Sequence, residues 1–130
     1  MTSPDYNTWL GIHKIASDNG VYSAELELAA EHKNSLGWIH GGVYASLLDT
    51  VMGNAVLSLK NQYGWNWGAT ANLTIQFQAP ACSDKLIGTG TVTKVGKHLV
   101  FVTGKIRDSD ERVLCRAQGT WFVDQKKASV

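Results

Sequence analysis

The stretch Asn34-Ser-Leu-Gly-Trp-Ile-His-Gly-Gly-Val-Tyr-Ala-Ser-Leu-Leu-Asp49 decides the fold, because it leads a glycine-containing loop into the longest apolar pattern of the chain. From Gly41 onward, apolar residues recur at spacings of three and four, which predicts one helix that ends near Lys60. About twenty residues at ~1.5 Å each give a helix of roughly 30 Å, so this helix must form the centre of the domain. The apolar positions are Tyr44, Leu47, Leu48, Val51, Met52, Ala55, Val56 and Leu59.

Asp49 stands inside this apolar helix, where a carboxylate has a poor helix propensity. We expect the side chain to be buried, and a buried carboxylate needs a partner that offsets the cost of desolvation. Its position therefore indicates a role other than folding.

The remaining segments alternate apolar and polar residues, which predicts strands. An antiparallel sheet of five or six strands that curls around one long helix gives an α+β fold, with the last four strands in a meander. We expect a single domain over residues 1–130, with 125–130 as a tail. The predicted strands are 24–28, 71–78, 86–95, 99–107 and 113–123, preceded by a short strand or helical turn near 9–15.

Composition narrows the class of partner. The chain is 44% hydrophobic and 18% charged, with a formal net charge of +1, and it has no long run of like charges. These values are typical of one soluble domain and argue against binding to nucleic acid or to an anionic membrane. No signal-peptide pattern is present, so we expect a cytoplasmic protein. Cys82 and Cys115 are expected to be free thiols, and the four histidines show no metal-ligand spacing, so we expect no metal.

A motif of several parts runs through the chain. Its parts are Asn34, Gly37, the triplet His40-Gly41-Gly42, Asp49 nine residues after His40, and the strand end Phe77-Gln-Ala-Pro80. In these parts the chain resembles the hotdog-fold acyl-CoA thioesterases, and within them the phenylacetate-degradation (PaaI-like) group, over nearly its whole length. The resemblance implies a hydrolase that acts on an acyl-CoA substrate without a separate cofactor. It also implies active sites at the interface of a homodimer.

The residues indicate the same chemistry on physical grounds. Gly41 and Gly42 lie at the predicted helix start, where unpaired N–H groups and the helix dipole favour a negatively charged oxygen. The alternative is that the two glycines only permit a tight turn. Asp49 shares one helix stripe with small residues, which leaves space for a substrate or a second helix, or else it is held there for structural reasons. The small residues are Gly42, Ala45, Ser46 and Gly53.

The oxyanion donor Gly41 and the carboxylate of Asp49 are too far apart to act together within one helix. Gly41 and Asp49 are eight residues apart, or roughly 12 Å along a helix axis. A reacting carbonyl needs both its nucleophile and its oxyanion donor about 3 Å away, so we expect them to come from different helices of a two-fold dimer. The sequence leaves open whether two dimers form a homotetramer.

The expected reaction is attack on the thioester carbonyl. Asp49 activates a water as general base, or attacks directly to give an anhydride, and the Gly41 N–H holds the oxyanion. By resemblance, Asn34 bonds near the thioester or the water, and His40 braces the loop or lies beside the sulfur. Related enzymes often carry Ser or Thr where Gly68 stands here, and Thr70, two residues on, points the same way and is the candidate to hold the water.

Several residues are candidates for binding the substrate. Trp38 and Trp67, with Gly42 and Gly68, suit an aromatic-lined acyl pocket, although tryptophans also pack in cores and interfaces. Lys97 and His98 at the predicted hairpin are cations for the CoA phosphates, or solvated turn charges. Two rival functions remain at this stage: a 3-hydroxyacyl thioester dehydratase, and a non-catalytic acyl-CoA binding module.

Overall fold

The computed structural model describes residues 5–125, which form three helices, one 3-10 turn and six strands. The predicted α+β class is confirmed, and the uncertain first segment is resolved into a helix followed by a strand. Gln125 belongs to the last strand, whereas residues 126–130 of the predicted tail lie outside the described part. In chain order the elements are α1 (Tyr6–Leu10), β1 (Ile12–Asp18), β2 (Val21–Glu27), the turn Ala30–His32, α2 (Gly41–Leu57), α3 (Lys60–Tyr63), β3 (Trp65–Phe77), β4 (Lys85–Val95), β5 (Leu99–Asp108) and β6 (Val113–Gln125).

The sheet is antiparallel throughout, in the order β1-β2-β4-β5-β6-β3. The predicted four-strand meander is therefore wrong at β3. β4 pairs with β2, with Gly88 opposite Ala24, whereas β3 lies at the far edge beside β6, with Thr70 opposite Trp121. The segment 78–84 carries the chain from one side of the sheet to the other, and alternation within a strand does not encode that crossing.

Helix α2 begins at Gly41 as predicted but ends at Leu57, three residues before the predicted Lys60. Ser58 is the C-cap residue: its hydroxyl donates to the Ala55 carbonyl at 2.6 Å and accepts the Gly20 N–H at 2.8 Å, and Leu59, with φ −99° and ψ 0°, leaves the helical conformation. The short helix α3 then follows and ends at Tyr63, and its C-cap residue Gly64 has a φ of 73°, in the left-handed region that glycine favours.

The core lies between α2 and the sheet, because α2 contacts every strand named above. Leu47, Leu48, Val51 and Met52 are fully buried, which confirms the predicted apolar face. The helix approaches the sheet closely at Gly90, where a Cβ would lie 2.6 Å from the Val51 carbonyl carbon. Glycine is therefore required for the helix to pack at this distance.

The two cysteines lie in different surroundings. Both are free thiols, as expected. Cys82 is exposed, whereas Cys115 is buried, and burial raises the pKa of its thiol to about 11. Among the helices that the structure describes, none is long and apolar enough to cross a membrane.

Candidate active site

Asp49 lies on the flank of α2 that the sheet leaves uncovered, and its side chain is exposed within the single chain. The expectation of a buried carboxylate is therefore wrong for one copy of the chain. Thr70 of β3 donates its hydroxyl hydrogen to Asp49 Oδ1 at 2.6 Å. A short hydrogen bond to a carboxylate orients it, so one oxygen is held and the other remains available to a ligand.

Helix α1 also contacts α2 near Asp49. The Tyr6 hydroxyl lies 2.7 Å from Ser46 Oγ, and Thr50 Oγ1 donates to Asn7 Oδ1 at 2.9 Å. Ser46 and Thr50 are near neighbours of Asp49 along the helix, so the carboxylate stands on a strip of α2 that α1 contacts at Ser46 and Thr50 and that β3 contacts at Asp49. We call this strip the acid trough; it runs along Gly42, Ala45, Ser46, Asp49 and Gly53.

Trp121 closes the trough beyond Asp49. A Cβ added at Gly53 would lie 3.2 Å from the indole Nε1, and the Trp121 side chain is otherwise buried. The absence of a side chain at Gly53 thus leaves room for the indole against the helix. This tryptophan packs in the core, as the sequence allowed.

The start of α2 offers one backbone donor. His40 caps the helix: its Nδ1 accepts the Gly42 N–H at 2.8 Å, and its carbonyl accepts the Val43 N–H at 2.9 Å. Among residues 5–125, no acceptor lies within hydrogen-bonding distance of the Gly41 N–H. Gly41 thus presents the unused donor at the positive end of a 17-residue helix, whereas the donor of Gly42 is occupied.

Gly41 opens into a cavity of about 650 Å³ that is lined mainly by the loop before α2 and by the segment after β3. Trp38, Tyr44 and Phe77 contribute aromatic walls, and burial raises the pKa of the Tyr44 hydroxyl. Asp49 does not line this cavity. Within one chain, Gly41 therefore lines the cavity, whereas the Asp49 carboxylate lies outside it.

Asn34 holds the loop that leads to Gly41. Its Oδ1 accepts the N–H groups of Leu36 at 3.0 Å and Trp38 at 3.2 Å, and Gly37 turns the chain with a φ of 85°. The side-chain oxygen is therefore occupied by the loop, and the amide NH₂ is the group of Asn34 left for a ligand.

The other sequence-predicted residues are dispersed. Thr70 is brought to Asp49, and Trp38 to the Gly41 cavity. Trp67 is half exposed on β3, and Gly68 beside it faces Leu57, with 3.4 Å between its added Cβ and Leu57 Cδ2. Lys97 and His98 are exposed in the turn between β4 and β5 and do not line the cavity.

Two residues were missed by the sequence reasoning. Arg112 stands at the rim of the cavity, where its Nη2 donates to the Pro80 carbonyl at 2.7 Å and lies 2.9 Å from Cys82 Sγ. His32 is buried behind the loop that carries Asn34. Neither position has a sequence signal, because a lone arginine after a turn and a lone histidine in a loop have no pattern.

Comparison with known proteins supplies a family. The sequence pattern described as Thioesterase superfamily matches residues 36–115. Human acyl-coenzyme A thioesterase 13 is 28% identical over 90 residues, which cover 68% of this chain and 62% of that protein. The chain thus spans less than two thirds of the length of this curated relative.

Solved structures share the fold. Conserved protein PA5202 from Pseudomonas aeruginosa superposes with a TM-score of 0.85 at 24% identity, covering 94% of this chain and 95% of that one. The PaaI protein from the phenylacetic acid degradation operon of Escherichia coli gives a TM-score of 0.84 at 23% identity, covering 95% and 86%. The hotdog fold implied by the sequence motif is confirmed.

Proposed function

Because the chain belongs to the Thioesterase superfamily, we propose that it hydrolyses acyl-CoA thioesters to a free acid and CoA. The observation that carries the proposal is the pair of complementary half-sites. One is a carboxylate oriented by Thr70 in an open trough, and the other is the unused Gly41 donor in an aromatic-walled cavity. A nucleophile and an oxyanion donor are the two groups that acyl transfer requires.

The reaction would proceed by addition and elimination at the thioester carbonyl. Asp49 takes a proton from a water that attacks the carbon, the Gly41 N–H stabilises the oxyanion, and the CoA thiolate leaves as the carbonyl re-forms. The Thr70 hydroxyl donates to Asp49 but keeps its own lone pairs, so it can also accept a hydrogen of that water. This arrangement supports the general-base route over direct attack by the carboxylate.

A single turnover in ¹⁸O-labelled water, with enzyme in excess, detects an anhydride that water opens at the aspartyl carbonyl. The general-base route places the label in the product acid and leaves Asp49 unlabelled. An anhydride that is opened at the aspartyl carbonyl places the label in Asp49 instead, which mass spectrometry of the proteolysed enzyme detects.

We propose that the two half-sites meet in a homodimer. Gly41 and Asp49 are about 12 Å apart along α2, which is too far for one carbonyl. β3 offers a 13-residue edge on which no strand of residues 5–125 pairs, and it carries Thr70 beside the trough. An uncovered edge of this length is suited to continuing the sheet with a second copy, and two-fold symmetry then forms two sites.

The rim of the cavity suits the anionic part of the substrate. CoA carries phosphates, and two cations stand at this cavity: Lys33 lines it, and Arg112 contacts the lining residues Pro80 and Cys82. We propose that Lys33 and Arg112, rather than Lys97 and His98, contact the CoA phosphates.

The decisive experiment measures CoA release by chromatography from a panel of acyl-CoA esters, with Asp49→Asn alongside the unmodified protein. Hydrolysis that falls at least about a hundredfold in Asp49→Asn supports the proposal. Release that is equal in both proteins would remove Asp49 from the mechanism. Absence of release from every ester would favour the non-catalytic binding module.

Subunit mixing tests the two-chain site. Asp49→Asn and Gly41→Pro are each expected to be inactive, but a mixed dimer holds one site in which both groups are intact. Random exchange of an equal mixture should restore about a quarter of the wild-type activity, since half of the dimers are mixed and half of their sites are intact. A site built within one chain would stay inactive in every mixture.

A further inference from the structure

We infer that His32 is a positioning residue, which ties helix α1 to the loop that carries the Gly41 donor. The inference rests on the proposed hydrolysis and adds to it a residue that does not touch the substrate. Three sets of contacts carry it: those of the imidazole ring, those of the His32 backbone, and those of α1 around Asp49.

Both nitrogens of the buried His32 ring are engaged. Nδ1 accepts the Ala29 N–H at 2.9 Å, and Nε2 lies 3.0 Å from the Leu10 carbonyl oxygen. Because Nδ1 is an acceptor, the ring hydrogen is on Nε2 and is donated to Leu10. This bond links the last residue of α1 to a loop 22 positions further along the chain.

The His32 backbone continues the link to the donor. Its carbonyl accepts the His40 N–H at 2.8 Å, and the next residues of the loop, Lys33 and Ile39, form an antiparallel bridge. The loop is therefore closed at its base by His32, and the chain leaves this base at His40 straight into Gly41. A shift of His32 would move the peptide whose N–H binds the oxyanion.

The other end of α1 is fixed beside the carboxylate. Tyr6 and Asn7 bond to Ser46 and Thr50 of α2, on either side of Asp49 in sequence. Leu10, at the other end of α1, is buried in the core. Helix α1 thus holds the acid trough through its first residues and the donor loop through its last one.

Two substitutions of His32 distinguish the two hydrogen bonds that its ring forms. In His32→Asn the amide oxygen takes the place of Nδ1 and keeps the Ala29 bond, whereas the Leu10 bond is lost. In His32→Gln the amide NH₂ reaches the place of Nε2 and keeps the Leu10 bond. If the tie to α1 positions Gly41, kcat should fall about tenfold in His32→Asn and less than about threefold in His32→Gln, with KM nearly unchanged in both, because a displaced group costs rate rather than binding.

Hydrogen exchange gives a readout that does not depend on activity. Exchange of the His40 amide should quicken at least about tenfold in His32→Asn and stay near wild type in His32→Gln. Equal kcat and equal His40 exchange in the two variants would overturn the inference. If the unmodified protein proved inactive on all esters, the proposed hydrolysis would fail while the exchange comparison still decided the role of His32.

A second pair of changes covers the case in which His32→Asn does not fold. Tyr6→Phe combined with Asn7→Ala releases the exposed end of α1 and leaves the His32 ring untouched. The same loss of kcat at constant KM, with a melting temperature close to that of the wild type, is expected. A kcat equal to that of the wild type would show that α1 does not position the site.

Discussion

Gly41→Pro removes one hydrogen-bond donor from the molecule and changes little else. Gly41 is the first residue of α2, the helical position where proline is favoured. His40 before it has φ −61° and ψ 134°, an extended conformation that a following proline accepts. The N–H that is lost has no acceptor among residues 5–125, so the fold should not lose a bond.

The Cβ that the substitution adds fits beside the helix start. A Cβ at Gly41 lies 3.7 Å from Phe77 Cε1, which is an ordinary contact. The thermal midpoint should therefore stay close to that of the wild type. Loss of one oxyanion donor costs about 10²–10³ in kcat, or ~2.7–4 kcal/mol of transition-state stabilisation.

Gly41→Ala is the matched control, because it adds the Cβ but keeps the N–H. Steady-state release of CoA should fall far more in the proline variant than in the alanine variant, and both should unfold at similar temperatures. Equal activity in the two variants, whether high or low, would refute the assignment of this N–H as the oxyanion donor. It would then indicate either no role for Gly41 or a purely steric one.

The structure supports three further predictions. Thr70→Val deletes the hydroxyl that orients the helix carboxylate, and kcat/KM for CoA release should fall about tenfold, whereas Thr70→Ser should retain most activity. Gly90→Ala should lower the free energy of unfolding in denaturant by about 1–3 kcal/mol, because its Cβ meets the Val51 backbone, and Gly104→Ala, which meets flexible side chains, should cost less. Stability should decline as the pH rises from about 9 towards 11, because burial raises the pKa of Cys115 to about 11 and the unfolded chain ionises first. In Cys115→Ala, measured by the same denaturant titration, the decline should be smaller, and the part that remains is due to groups such as Tyr44, whose pKa burial also raises.

The local parts of the fold followed from the sequence. The spacing of apolar residues located α2 and its buried face, and the His40-Gly41-Gly42 triplet located its start. The placement of β3 beside β6 did not follow, because alternating residues specify the two faces of a strand but not its neighbour. The end of α2 was missed because the Ser58 hydroxyl accepts the Gly20 N–H there, a contact between distant parts of the chain that apolar spacing does not encode.

The sequence indicated which residues form the candidate site better than it indicated their surroundings. Small residues around Asp49 indicated space beside it. The burial of the Asp49 side chain was expected because most of the helix surface is apolar. An apolar pattern cannot distinguish a face covered by the same chain from a face open to a second one. The role of His32 depends on a bond to Leu10, 22 residues away, and a single histidine carries no periodic signal.

The proposed pairing of two copies along the uncovered edge of β3 would make activity depend on protein concentration. If two copies must join along this edge to complete a site, dilution below their dissociation constant separates acid from donor, and each chain loses turnover without unfolding. Activity per chain would then rise with concentration before it reached a plateau. In a cell, the level of expression would set how active each copy is as well as how many copies there are.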